Sequence, residues 1–446
     1  MSSLQNTLQN MSNLRYKRYT TFKGLRNAVS SIAISADGKY LAAAGLFGAA
    51  VWSLITFESL ALPTMRVERL CSTSAWLHFD NDCGTASRHV LVLGSLNGQV
   101  SALDVNEEEM ELQAICLPVT RSTVQQVLSL DVQQPEVGNK SRARVVASFA
   151  DFTVKCWTLG LNGDFQLVFS MNFEPGFLPK TVRFHEGSQH VLVFSRTGGI
   201  RALLDQSSGK IIARIANGCE IMTSVSVHQP TSRFVASTGY GFQLFNLSNL
   251  RYIRTFAHDT AVQNDIPCQV TFAENGSKVV GGTSQGEALL FDSHSGLLEQ
   301  RMKCPRDELI QTVTTCTLKN KYYIAVAGSA SGQASEIVVW CKLRTQSPAH
   351  KKKTDPVLFA VHRSTALFLV YVLVGVGVSV LLFTFFWGSD LEISPSVNYF
   401  LKFNLSLRKC VLTKMARTLQ ILTFFARILE KKLLNILGLQ YVNGGH

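Results

Sequence analysis

The most reactive side chains in this 446-residue sequence are ten cysteines, at positions 71, 83, 116, 156, 219, 268, 304, 316, 341 and 410. As thiolates they could hold zinc, form disulfides or attack an electrophile. Their spacing favours none of these. No pair has CxxC spacing, and no histidine follows at zinc-finger intervals. The first thirteen residues, MSSLQNTLQNMSN, are polar and lack the apolar core of a secretory leader. The thiols therefore read as buried and free in a reducing compartment. His185 and His190 stand five apart in His-Glu-Gly-Ser-Gln-His, a spacing compatible with ligation but better read as a solvated turn. Glu107, Glu108 and Glu109, with Glu111, could dock a basic partner, or form a solvated loop or an outer edge strand that resists aggregation. The second reading is preferred. The chain has no Gly-x-Ser-x-Gly, P-loop, GxGxxG opening a helix, or HExxH. Neither catalysis nor a cofactor, metal or small-molecule substrate is expected.

Charge could still point to nucleic acid. The chain carries 43 Lys+Arg against 31 Asp+Glu, a formal net charge of +12. The excess is uneven: Thr345 to His446 holds 12 basic and 4 acidic residues, net +8, and the preceding 344 residues are net +4. A nearly balanced main domain argues against a polyanion-binding surface.

That main domain is repetitive. Val29 to Leu54 (VSSIAISADGKYLAAAGLFGAAVWSL) contains an alternating strand, a tight turn at Ala36-Asp37-Gly38-Lys39, a second strand, a glycine turn and a third strand. The order recurs in HVLVLGSLNGQVSALDV, RVVASFADFTVKCWTL, HVLVFSRTGGIRALLD, RFVASTGYGFQLFNL, KVVGGTSQGEALLFD and YYIAVAGSASGQASEIVVWCKL. Each third strand carries an aromatic or Leu followed by a short residue: Trp52-Ser53, Leu103-Asp104, Trp157-Thr158, Leu204-Asp205, Phe245-Asn246, Phe291-Asp292 and Trp340-Cys341. The intervals of 51, 54, 47, 41, 46 and 49 residues match four-stranded propeller blades. The pattern resembles the WD-repeat family over about three quarters of the chain. No repeat unit reads Trp-Asp or contains the Gly-His dipeptide, so the seven-fold period carries the resemblance. It implies an all-β, seven-bladed ring over residues 14–344, whose loops bind protein partners.

The seventh unit supplies three strands, roughly Ile310 to Leu318, Tyr322 to Gly328 and Ile337 to Leu343. Leu14 to Phe22 (LRYKRYTTF) alternates and is rich in Tyr, Thr and Phe. It is expected to pair with the strand ending at Leu343 and close the ring, with residues 1–13 disordered. Pro135 to Arg144 reads as a surface insertion.

Composition changes after Arg344. A basic linker at 345–363 contains Lys351, Lys352, Lys353 and Arg363. It precedes 26 residues without a charge, Ser364 to Ser389, with Trp387 at the far end. That length suits a transmembrane helix; a hydrophobic helix packed on the propeller is the alternative. The basic flank places the preceding domain in the cytosol. In the tail, 390–446, Leu412, Met415, Leu419, Leu422, Phe425, Leu429 and Leu433 recur at three-four spacing with basic residues between them. They predict a basic amphipathic helix. Asn404-Leu405-Ser406 is a glycosylation sequon whose modification would report the tail's side.

The expected function is a membrane-anchored scaffold on an endomembrane, most simply the endoplasmic reticulum, presenting a cytosolic propeller to protein partners and not to nucleic acid. The layout of propeller, single span and lumenal tail is also similar to that of endoplasmic-reticulum exchange factors for the small GTPase that starts coat assembly. That likeness implies guanine-nucleotide exchange as the alternative.

Overall fold

The computed structural model describes residues 15–344 except 47, 64–69, 80–87, 117–124, 134–141, 161, 186–187, 239, 257–267, 307 and 330–333. Seven four-stranded antiparallel sheets make up this part of the chain. Six are sequential meanders: Val29 to Leu60, Cys71 to Cys116, Val127 to Asn172, Pro179 to Ala216, Ser224 to Phe256 and Val270 to Lys303, here blades 1 to 6. Blade 7 combines Ile310–Thr317, Lys321–Gly328 and Ala334–Leu343 with the N-terminal strand Lys17–Arg26 as its outer edge. First strands contact the first strands of both neighbours all the way round, including Val29–Ile34 with Ile310–Thr317. This part of the chain is therefore a closed seven-bladed β-propeller.

The closing strand is the one expected at the N-terminus, displaced toward Arg26. Its ladder runs from Lys17 opposite Cys341 to Arg26 opposite Ala334, with irregularities near Tyr19 and Gly24. The partner strand is ten residues long and extends the pairing past Phe22. Tyr16 still packs inward, and Gln300 accepts from its backbone N–H at 3.0 Å and donates to its carbonyl at 2.8 Å.

Seven buried apolar clusters form the core, one at each seam between neighbouring blades. Trp52, for example, stacks on Phe22 across the blade 7–blade 1 seam, ring centroids 5.2 Å apart. Second strands lie covered on both faces, as in Tyr40–Gly45 and His190–Ser195. This explains their continuous apolar runs. Outer strands such as Ile211–Ala216 are largely exposed.

Polar groups join the same seams. Ser74 N–H donates to Ser31 Oγ (3.1 Å), Ser72 Oγ to Val127 O (2.7 Å), and Phe184 N–H to Asp131 Oδ2 (2.7 Å). Gln229 Nε2 donates to Phe184 O (2.7 Å), Phe272 N–H to Ser226 Oγ (3.4 Å), and Thr315 Oγ1 to Phe272 O (2.7 Å). The Cys316 thiol reaches Ser35 O at 3.7 Å to complete the circuit. These bonds occupy backbone groups that a first strand, as a sheet edge, leaves unpaired.

In blades 4, 5 and 6 the short residue after the third-strand aromatic or Leu also has a structural role. Asp205 Oδ1 accepts from the N–H groups of Ser207 and Ser208, Asn246 Oδ1 from Ser248 and Asn249, and Asp292 Oδ1 from His294 and Ser295. Such Asx caps set the hairpin into the outer strand.

Candidate functional site

Meander geometry divides the loops between two faces. Turns after first and third strands lie on one face of the ring. Turns after second strands, with the connections between blades, lie on the other. On the connection face, four large apolar side chains are exposed: Leu46 and Leu70 at blades 1 and 2, and Ile221 and Tyr240 at blade 5. Tyr240 is 82% exposed. A Cβ added at neighbouring Gly241 would meet no atom within 4 Å.

The opposite face holds a polar constellation at the blade 1–blade 2 seam. His89 is the second residue of Arg88–Ser95, the second strand of blade 2, and is 1% exposed. His78 lies directly across the ladder, so both imidazoles leave the same side of the sheet, with ring centroids 4.6 Å apart. The Tyr40 ring meets His89 edge-on at 5.0 Å and stacks on Trp76, whose indole N–H donates to Ala33 O across the seam at 3.2 Å. Blade 1 contributes Asp37 from its first tight turn. Asp37 Oδ2 lies 2.8 Å from His89 Nε2, and Oδ1 accepts from Ser35 Oγ at 2.7 Å. Burial alone would push the Asp37 carboxyl up; the bonds with His89 and Ser35 outweigh it and hold the group well below the usual carboxylate range. Glu107 closes the other side, with Oε1 3.7 Å from His89 Nδ1, 3.4 Å from Lys39 Nζ and 3.1 Å from the Tyr40 hydroxyl, which donates. Burial and Glu107 together push the Tyr40 phenol up.

Among the described residues, Asp37, His78 and His89 form the one group of three side chains that could hold a metal, their donor atoms all within 4.8 Å of one another. None of the three was singled out by type and spacing in the sequence. A signal was present: two histidines end and begin facing strands, and the Ala36-Asp37-Gly38-Lys39 turn sits at the corresponding hairpin end of the preceding blade. Only the blade period relates the two.

The residues that were singled out fare differently. His185 and His190 are ladder partners closing a hairpin, with His185 Nδ1 2.7 Å from Ser188 Oγ. Glu108 and Glu109 lie in the solvated turn before the outer strand Glu111–Cys116, as expected. Glu107 departs from that reading: tertiary packing turns it onto blade 1. The described cysteines 71, 156, 219, 268, 304, 316 and 341 are unbridged. Burial pushes the thiols of Cys156 and Cys304 up to about 12, and those of Cys219, Cys268 and Cys316 to about 11. Most of the Pro135–Arg144 insertion lies outside the described residues. So do the membrane-flanking Lys351, Lys352, Lys353, Arg363 and Trp387, the span 364–389, and the tail set from Leu412 to Leu433. Among the described residues no helix is long and apolar enough to cross a membrane.

No protein-family model matches the chain, and no curated protein matches it.

Proposed function

We propose that this protein is a membrane-held interaction platform that acts by binding and not by catalysis. A WD-repeat-like ring presents its connection face to a protein partner. The observation that carries the reading is Tyr240, at 82% the most exposed large apolar side chain among the described residues, with Leu46, Leu70 and Ile221 exposed on the same face. Large apolar side chains on rigidly mounted turns are what protein interfaces use as anchors, and an exposed tyrosine offers both a ring and a hydroxyl to a partner pocket. The anchor rests on the 26-residue uncharged run and its basic N-terminal flank, which favour a span with the ring in the cytosol.

Two measurements test the two halves. Proteins crosslinked in cells to the wild-type chain should be lost on Tyr240→Asp with Ile221→Asp, at an unchanged thermal midpoint; an unchanged set removes the connection face from the proposal. After alkaline extraction of membranes, the full chain should stay in the pellet and a chain lacking 364–389 should not. Release of both would remove the anchor.

A further inference from the structure

We propose that Asp37, His78 and His89 bind a zinc-type divalent cation that staples blade 1 to blade 2, with Glu107 orienting His89 from behind. The donor set is two imidazoles and a carboxylate, which suits zinc and its borderline neighbours. With bonds of about 2.0–2.2 Å, a tetrahedral ion holds its donors about 3.3–3.6 Å apart. The present spread of up to 4.8 Å closes with small rotations. The set is well mounted. His78 and His89 are fixed on facing strands of one ladder, and Asp37 sits in a turn braced by Ser35, whose Oγ also accepts from the Lys39 and Tyr40 N–H groups.

A second, independent observation points to the same ligand. His89 Nδ1 is buried and makes no hydrogen bond, although Glu107 Oε1 stands 3.7 Å away. Buried polar atoms in folded proteins are rarely left so. Without a metal, the Nε2 proton is held by Asp37. A ring with its one proton on Nε2 would turn the Nδ1 lone pair toward the Glu107 carboxylate, acceptor against acceptor. A cation on Nε2 removes this conflict. The ring's one N–H proton moves from Nε2 to Nδ1, the Nε2 lone pair is given to the cation, and Glu107 accepts from Nδ1–H. That is the carboxylate–histidine–metal relay that orients ligating imidazoles. Lys39 is the competing positive charge, 4.0 Å from Asp37 Oδ2 and 3.4 Å from Glu107 Oε1. Its side chain is partly exposed and free to swing outward.

The test uses the full chain in detergent, stripped with chelator and titrated with zinc chloride, then with cobalt chloride as a spectroscopic stand-in. One zinc per chain should bind and raise the thermal midpoint. The cobalt form should show visible bands without the near-ultraviolet absorption of a thiolate ligand. His78→Gln and Asp37→Asn should each abolish the midpoint shift, and Glu107→Gln should weaken binding by about 10–100-fold. Lys39→Ala should bind at least as tightly as wild type. His78 is only half-buried, so His78→Gln tests ligation with the fold intact, as its metal-free midpoint will verify. No stoichiometric zinc, a thiolate signature, or equal binding by His78→Gln and Asp37→Asn overturns the proposal.

Discussion

Single residues at the seams have little room to change. A Cβ added to Gly282 would lie 2.0 Å from the backbone carbonyl oxygen of Ile310 in the next blade. Backbone cannot rotate away as a side chain does, so Gly282→Ala must force the blade 6–blade 7 seam open. The expected loss is about 1–3 kcal/mol, read as a lower urea midpoint at unchanged slope. Thiol chemistry should follow burial in the same way. At pH 8, mapped alkylation should leave Cys156, Cys268 and Cys316 unmodified in the native chain and label all three in urea, because buried thiols held up to about 11 or 12 supply almost no thiolate. Asp292 gives a pH dependence. Hydrogen bonds from Ser295 and from Lys278 (2.9 Å) hold its carboxyl below the usual range. A carboxylate depressed in the folded state contributes stability above its unfolded pKa of about 3.9 and loses it as pH falls below. Asp292→Asn should therefore lower the urea midpoint at pH 7, and its difference from wild type should narrow steadily as pH falls below about 3.9.

At the scale of elements, the strand Lys17–Arg26 has the largest consequence. It is covalently distant from its blade yet supplies the blade's whole outer edge. Removing residues 1–26 should expose Ala334–Leu343 as a free edge and uncover Trp52, against which Phe22 stacks. The truncated chain should melt at a lower temperature and aggregate, as light scattering would record. This closure was legible in the sequence, because the seventh unit lacked a strand and LRYKRYTTF alternated like one. Blade number was legible too, since the third-strand aromatics mark a period. The Asp37–His78–His89–Glu107 constellation was not. Its members come from two blades and become neighbours only when the seam forms, and short-range patterning carries no signal for such a meeting. Glu107 was misread for the same reason: an acidic run looks solvated until the adjoining blade supplies Tyr40 and Lys39.

At the scale of the molecule, seven apolar seams and seven polar bridges make each blade depend on two neighbours. The ring has no end from which to fray while Lys17–Arg26 remains paired. Unfolding should be cooperative, with a tryptophan signal and backbone circular dichroism changing together in urea; separate transitions would mean that blades unfold singly. The closing strand also imposes an order in time. Its residues are made before the rest of the ring, and its partner strand ends at Leu343, so this edge must wait for nearly the whole ring to be synthesised. At about 5–20 residues per second, that wait is on the order of 20 to 70 s. During it, the inner edge of blade 1 and the outer strand of its future neighbour are both without partners. A nascent chain of this kind has a window of sticky, open edges set by the ribosome's pace. Codons that slow translation before Leu343 should lengthen the window and raise aggregation without altering a single residue of the finished protein.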